Sequence, residues 1–273
     1  MMRDITLGQY FPGTSVLHRS DPRMKLILTL IFIVFVFLAK SLWAYVWLFV
    51  FTFSLLIVSR LPVKVILKGL KPVLFIIAIT VIFNLFLTKG EDLLFECKFI
   101  HIYFEGVMFA VYMIIRIVCL ILGTSVILTY TTSPVDLTDG IEQLLSPLKK
   151  IKIPVHEFAM MMSIALRFIP TLTEETEKIM NAQKARGADL SSGGLIKRAK
   201  ALIPILIPLF VSSLRRADEL ATAMECRCYR GGDGRTRMKR LKYSPRDLVL
   251  FLVFAAFGTG IILLNIFIPY LVI

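Results

Sequence analysis

Several apolar runs, each close to the length of a membrane-spanning helix, constrain this chain more than any other feature. A helix needs about 20 mostly apolar residues to cross the hydrocarbon core of a bilayer. Apolar side chains make up 57% of the 273 residues, which excludes an ordinary soluble domain. We therefore expect an all-α polytopic membrane protein. The predicted spans are Leu26–Leu38, Leu42–Val58, Pro72–Leu87, Gly106–Tyr130 and Asp247–Ile268.

The distribution of the net charge of +13 predicts how these spans are oriented. Four cations and no acids lie between Arg60 and Lys71, whereas residues 89–105 carry two lysines and four acids. Residues 131–246 carry 20 cations and 12 acids. Since membrane proteins keep cationic loops in the cytoplasm, we expect a cell-membrane protein with a cytoplasmic N-terminus and an external C-terminus. Anionic membrane lipids would attract the basic segments, so the charge requires no nucleic-acid partner.

The basic segment between the fourth and fifth predicted spans contains three predicted helices. The first begins at Ser133-Pro134, and the two longer helices cover residues 155–184 and 195–226. Apolar residues recur in them at helical spacing with polar residues between, so the helices should be amphipathic. Pro170 lies inside the second helix and should bend it.

Residues 201–214 are apolar enough to resemble a further span. They number only 14, include two prolines and are flanked by cations, so we interpret them as a helix that lies against the inner membrane face or against the spans. The sequence thus divides into a membrane domain (1–130), a cytoplasmic domain (131–244) and a final span (245–273).

Each of the two long predicted helices ends in an arginine between small side chains. The first end reads Ala185-Arg186-Gly187 and the second reads Cys226-Arg227-Cys228. Small neighbours leave a planar guanidinium free to enter a narrow groove and pair bidentately with carboxylates or carbonyls. One such residue alone would indicate a simple capping role, because the helix dipole favours a cation there. Two matched cases instead indicate docking to two similar partner proteins.

Two polar residues, Arg116 and Asn84, fall within predicted spans. A charge inside a membrane is a functional candidate by default. Pairing within the helix bundle, or snorkelling, would explain Arg116 equally well.

The chain shows no sign of a site for chemistry. It has no Gly-x-x-x-x-Gly-Lys-Ser/Thr loop, and the glycines of residues 231–234 lack the lysine and the preceding strand. Cys226 and Cys228 have no second Cys or His pair nearby at metal-ligand spacing. We therefore expect no catalytic residue, cofactor or metal on this chain.

Three stretches together resemble the transmembrane T component of energy-coupling factor (ECF) transporters. The stretch from Tyr10-Phe11-Pro12-Gly13 to Met24-Lys25 is similar to that family's N-terminal signature. Residues 128–134 (LTYTTSP) are similar to the family's junction between the last early span and the cytoplasmic domain. Residues 167–170, 182–187 and 215–227 resemble its coupling helices. The resemblance covers nearly the whole chain in order. The family pattern at both helix ends is Ala-Arg-Gly, from which the second end departs at Cys226 and Cys228.

The resemblance implies a non-catalytic coupling subunit of an ATP-driven importer. The ends of its two long helices would dock two ABC-type ATPase subunits, which bind ATP and Mg. The subunit would transmit the motion of these ATPases to a vitamin-binding S component in the membrane. Residues implied to support the two long, crossing coupling helices are Arg167, Pro170, Arg215, Arg216, Asp218 and Glu219. Residues implied to contact the S component are Leu144, Leu145, Met160, Met161 and Met162.

Two other classes of protein remain as alternatives. A self-sufficient carrier would enclose its own substrate path, and such carriers usually show internal repeats and polar residues at the midplane. Here only Asn84 and Arg116 qualify, and no repeat is visible. A membrane-embedded enzyme would need acid–base or metal-binding clusters near the membrane face, which the sequence lacks.

Overall fold

The structure is a computed structural model that describes residues 10–88, 93–97, 100–188, 194–232 and 241–267. The described residues are largely helical, which confirms the all-α class. They form two compact units, made of the described parts of residues 8–140 with 240–273, and of residues 141–239. In chain order the elements are α1 (Val16–Arg19), α2 (Pro22–Leu38), α3 (Leu42–Ser59), α4 (Val63–Leu70), α5 (Leu74–Leu87), β1 (Leu93–Cys97), β2 (Ile100–Tyr103), α6 (Phe104–Thr124), α7 (Pro134–Leu144), α8 (Val155–Ala185), α9 (Leu195–Cys226) and α10 (Pro245–Phe267).

Four helical stretches among the described residues are long and apolar enough to cross a membrane. They are Leu42–Ser59, Val63–Phe86, Phe104–Thr129 and Pro245–Phe267. The first predicted span corresponds to α2, whose 17 residues extend about 25 Å. That length is slightly short of the roughly 30 Å hydrocarbon core, so the first of the five expected spans remains a prediction. Helix α9 is not among these four stretches.

The third span begins earlier than the sequence indicates. Helix α4 continues through a 3-10 turn, Lys71–Val73, into α5, so the helical stretch starts at Val63 rather than at Pro72. Lys64 and Lys68 interrupt the apolar run, but both lie on an exposed face and leave the helix intact. A short antiparallel hairpin, β1–β2, follows α5 and was not predicted.

A buried polar junction joins the beginnings of α2 and α10. Asp21 caps α2 by accepting a hydrogen bond from the amide of Arg23 (2.9 Å), as the Asp-Pro sequence predicts. The Asp21 amide donates to Asp247 Oδ1 (2.9 Å), and Asp247 Oδ2 caps α10 by accepting from the Ser244 amide (2.7 Å). Each carboxylate thus satisfies amides that would otherwise be buried without partners.

Helix α6 ends in a π-helical segment, Ser125–Thr129, followed by Tyr130. The ring of Tyr130 is almost fully buried against α4, where any Cβ at Gly69 would overlap its hydroxyl. The buried ammonium of Lys25 donates to the Thr131 carbonyl oxygen (2.9 Å) just beyond this segment. The end of α6 is therefore fixed by both α2 and α4.

We call the unit made of residues 8–140 and 240–273 the membrane unit. Its core is an aromatic cluster between α2, α3 and α10. The rings of Phe51 and Phe257 stack with centroids 3.8 Å apart, and Phe32 and Phe254 pack around them. Because lipid tails are as apolar as these side chains, close packing rather than exclusion of water holds such helices together. Gly258 supports that packing, since a Cβ there would overlap the ring of Phe35.

The second unit is dominated by the two long helices α8 (31 residues) and α9 (32 residues). Their observed bounds agree within one residue with the predicted ranges. Helix α8 passes through Pro170, and α9 passes through Pro204 and Pro208, as single elements. The two helices pack against each other.

Candidate functional site

The end of α8 is closed by a Schellman motif. The Ala188 amide donates to the Gln183 carbonyl (3.0 Å), and the Gly187 amide donates to the Lys184 carbonyl (2.9 Å). Gly187 takes the left-handed conformation that this motif requires, with φ of 85°. Arg186 is the residue immediately before it, with φ of −82° and ψ of 5°.

The end of α9 has the same geometry with different side chains. The Tyr229 amide donates to the Met224 carbonyl (3.0 Å), and the Cys228 amide donates to the Glu225 carbonyl (2.8 Å). Cys228 occupies the left-handed position with φ of 54°. Arg227 precedes it with φ of −92° and ψ of 12°, close to the values of the first arginine. The departure from Ala-Arg-Gly therefore leaves the helix ending unchanged.

Both arginines are available for contact with other molecules. We call Ala185–Gly187 and Cys226–Cys228 the arginine tips. Every residue of both tips is exposed. Within the part of the chain that the structure describes, no hydrogen bond or ion pair engages the guanidinium of Arg186 or Arg227. A capping contact between either guanidinium and its own helix is likewise not observed there.

A polar joint connects the second halves of the two long helices. The Arg216 Nη2 atom donates to Glu175 Oε2 (2.9 Å), and the Ser212 hydroxyl donates to Glu175 Oε1. The Ser212 hydrogen bond, with a further contribution from the Arg216 guanidinium, lowers the pKa of the Glu175 carboxyl. Both charged side chains are partly exposed to solvent, so the pair adds little to stability. Its main effect is to fix which turns of α8 and α9 meet.

The contacts on either side of the joint show that α8 and α9 run antiparallel. Glu175 meets residues 212 and 216, whereas the chain just beyond α9, at Gly232, packs on His156 near the beginning of α8. Arg186 lies 11 residues after Glu175, and Arg227 lies 11 residues after Arg216. At 1.5 Å per residue, each arginine tip is about 16 Å along its helix from the joint, in opposite directions.

An apolar groove of about 300 Å³ lies beside the joint, between α8 and α9. Its lining residues are Ile164, Phe168, Leu172, Ser213, Arg216, Ala217, Leu220, Ala221 and Met224. The α8 side consists of Ile164, Phe168 and Leu172, and the α9 side includes the small residues Ser213, Ala217 and Ala221.

A second polar contact fixes the beginning of α8. His156 Nδ1 lies 2.9 Å from Glu142 Oε1 on α7, and the segment after α9 covers the same histidine at Gly232. Gly231 makes this return possible with φ of 88°. The chain beyond the second arginine tip is thus packed on the N-terminal end of α8.

The remaining residues predicted for the coupling helices lie on exposed surfaces. Arg167, Pro170, Arg215, Asp218 and Glu219 are all exposed. Arg216 pairs with Glu175 rather than with the acids of its own helix. The residues proposed to contact an S component are also accessible. Met161 is 58% exposed and Met162 42%, whereas Met160 and Leu144 are half-buried and Leu145 is exposed.

The two intramembrane polar residues both have partners within the membrane unit. Arg116 Nη2 donates to the Ala39 carbonyl (3.3 Å) and to the Tyr45 hydroxyl, and its guanidinium lies 5.5 Å from the Tyr45 ring. Asn84 donates to the Thr80 carbonyl (2.8 Å) of its own helix. These contacts favour the structural interpretation that the sequence left open for Arg116.

Sequence reasoning missed Glu175 and Ser212. Both are ordinary polar residues of amphipathic helices, and their partners lie 37 to 41 positions away. Their only signal is that Glu175 and Arg216 are opposite charges at equal distances from the two arginine motifs.

Comparisons with known proteins agree on one family. The CbiQ family, described as cobalt transport protein, matches residues 13–238. The energy-coupling factor transporter transmembrane protein EcfT of Ruminiclostridium cellulolyticum is 55% identical over 265 residues, which are 97% of this chain and 98% of that protein. EcfT of Clostridium kluyveri is 58% identical over 250 residues, 91% of this chain and 92% of that protein. EcfT of Bacillus subtilis is 48% identical over 259 residues, 94% of this chain and 97% of that protein.

Proposed function

This chain belongs to the family of energy-coupling factor transporter transmembrane proteins, and we propose that it is the coupling scaffold of such a transporter. In this role each arginine tip docks one of two ABC-type ATPase subunits, which are identical or homologous to each other. The spans hold a separate S component that binds the vitamin. The chain carries no catalytic group, and ATP and Mg reside on the ATPase subunits.

One observation carries the proposal. Two helix ends with the same hydrogen-bonded geometry each present an exposed arginine, and both lie 11 residues from a shared joint. Two equivalent ATPase subunits require two equivalent docking sites, and these helix ends provide them. The antiparallel packing separates the two arginine tips along the helix pair, which leaves room for an ATPase subunit at each tip.

The joint gives this arrangement a means of transmitting motion. Long helices act as stiff levers, and a displacement of either tip turns its helix about the Glu175–Arg216 contact. Met161 and Met162 are exposed and Met160 is half-buried, and all three lie on α8 between its beginning and that contact. Methionine side chains adapt to different surfaces, which suits an S component that is exchanged for another.

Charge reversal at each tip tests the docking role. Arg186→Glu or Arg227→Glu should weaken retention of the ATPase subunits and uncouple ATP hydrolysis from uptake. Truncating one partner of a buried charge pair costs about 2–5 kcal/mol, so each single variant should reduce ATPase retention at least tenfold. Co-purification of the ATPase subunits and uptake of the vitamin in vesicles are the two measurements.

Lys184→Glu and Arg230→Glu are matched controls, because each changes the same charge at an exposed position within three residues of a tip. Both control variants should assemble and transport normally. Intact assembly and uptake in Arg186→Glu and Arg227→Glu would contradict the docking role. Uptake by the purified chain without any other subunit would instead support a self-sufficient carrier.

A further inference from the structure

A stripe of cations lies on the exposed face of α4, where the third span begins. Lys64 and Lys68 on α4 and Lys71 in the following 3-10 turn occupy positions i, i+4 and i+7, and all three are exposed. Arg60, the C-cap of α3 just before α4 begins, is also exposed. We call these four residues the α4 cation stripe. The described residues provide no hydrogen bond or ion pair to any of its four charged groups.

The other faces of α4 show how the stripe is held. Val65 and Ile66 pack against the core of the membrane unit, and Gly69 lies against the Tyr130 hydroxyl. At 100° per residue, these core-facing positions are on the side of the helix away from the lysines. Val63 and Leu67 lie between the two faces and are 66% and 60% exposed. The helix therefore presents cations and uncovered apolar side chains next to each other.

We propose that the α4 cation stripe binds the headgroup of an anionic phospholipid, whose acyl chains lie along Val63, Leu67 and the span that follows. The stripe would hold the phosphate oxygens while the apolar residues contact the first carbons of the chains. This binding is independent of the proposed coupling role, because it requires only that the chain is inserted in a membrane.

Charge and position together identify a lipid as the occupant. The sequence contains no Asp or Glu between Pro22 and Gly90, so α3, α5 and the turns on either side of α4 offer the stripe no acidic partner. The stripe begins the helical stretch Val63–Phe86, which is apolar enough to cross the membrane. A lysine at this level of a bilayer is within reach of the phosphates, and each contributes about fivefold to binding of anionic lipid.

Retention of lipid through purification tests the proposal. The full-length chain, in the complex with which it purifies, is reconstituted in phosphatidylcholine nanodiscs with or without phosphatidylglycerol, extracted in detergent, and examined by native mass spectrometry. The wild-type protein should retain phosphatidylglycerol in preference to phosphatidylcholine. The K64Q/K68Q/K71Q variant should retain at least tenfold less, whereas K64R/K68R/K71R should retain as much as wild type.

The K149Q/K150Q/K152Q variant is the matched control, since it removes three exposed lysines from a connector in the other unit. It should retain phosphatidylglycerol normally. Equal retention in both glutamine variants would overturn the proposal, and so would displacement of the lipid by an equal concentration of inorganic phosphate. Loss of a protein subunit from K64Q/K68Q/K71Q with unchanged lipid retention would show that the stripe binds a protein, which also overturns it.

Discussion

At the scale of single residues, Cys228 is the most informative departure from the family pattern. It occupies a left-handed position, with φ of 54°, which glycine adopts at the equivalent place in the first tip. Residues with a Cβ disfavour this conformation. The hydrogen bonds of the Schellman motif nevertheless form around it at normal distances. The second tip is therefore preserved by its backbone rather than by its side chains.

Replacing Cys228 by glycine should leave the second tip functional and stabilise its ending by at most about 1 kcal/mol, since glycine relieves the strain but loses more chain entropy on folding. Replacing it by valine should open the ending, because a branched Cβ is strongly disfavoured at positive φ. The measurement is hydrogen exchange of the Tyr229 amide, which donates to Met224 across the motif.

Cys226 provides the control for that comparison, because it is the same residue type on the helical side of Arg227. Cys226→Val should leave exchange at Tyr229 nearly unchanged. Similar exchange in Cys228→Val and Cys226→Val would mean that the left-handed position is not what closes the helix.

At the scale of elements, α2 and α10 pack through a glycine that faces an aromatic ring. Gly258 is buried, and a Cβ there would overlap the Phe35 ring, which itself packs edge-on against Phe257. The close approach of the two helices depends on the missing side chain.

Gly258→Leu should therefore force α10 away from α2 and destabilise the membrane unit by about 1–3 kcal/mol, the usual cost of overpacking. Ala256→Leu is the control, since Ala256 lies two residues earlier on the exposed face of the same helix. Thermal unfolding of the purified protein in detergent measures both. Equal transition temperatures for the two variants would contradict the assigned packing.

The predictability of each element follows the kind of signal that specifies it. The ends of α8 and α9 were predicted within one residue, because amphipathic periodicity and an arginine motif mark them locally. The start of α2 at Pro22 is also marked locally, by the Asp-Pro cap. The π-helical segment Ser125–Thr129 and the β1–β2 hairpin were not predicted, since π-helical bonding leaves no local pattern and the hairpin lies in a loop that we considered only for its charge.

The candidate site divides in the same way. The arginine tips could be found because their residues are adjacent in sequence. The Glu175–Ser212–Arg216 joint could not, because it depends on which turns of two separate helices come together. Arg116 also required the structure, since its partners Ala39 and Tyr45 lie more than 70 residues away.

At the scale of the whole molecule, the proposed function depends on which side of the membrane each segment faces. The proposed function requires both arginine tips to be cytoplasmic, where ATPase subunits bind ATP. The charge distribution predicts the same orientation, with residues 89–105 outside. The four cysteines of the chain are suitably placed to test it.

A membrane-impermeant maleimide should distinguish the two sides in intact cells that produce this chain without its partner subunits. Cys119 is buried in α6 and should not react, whereas Cys226 and Cys228 are exposed. The Cys226→Ser/Cys228→Ser variant retains Cys97 in the predicted external loop and should be labelled without permeabilisation. The Cys97→Ser variant should be labelled only after permeabilisation. Labelling of Cys97→Ser in intact cells would place the second arginine tip outside, where no ATPase could reach it.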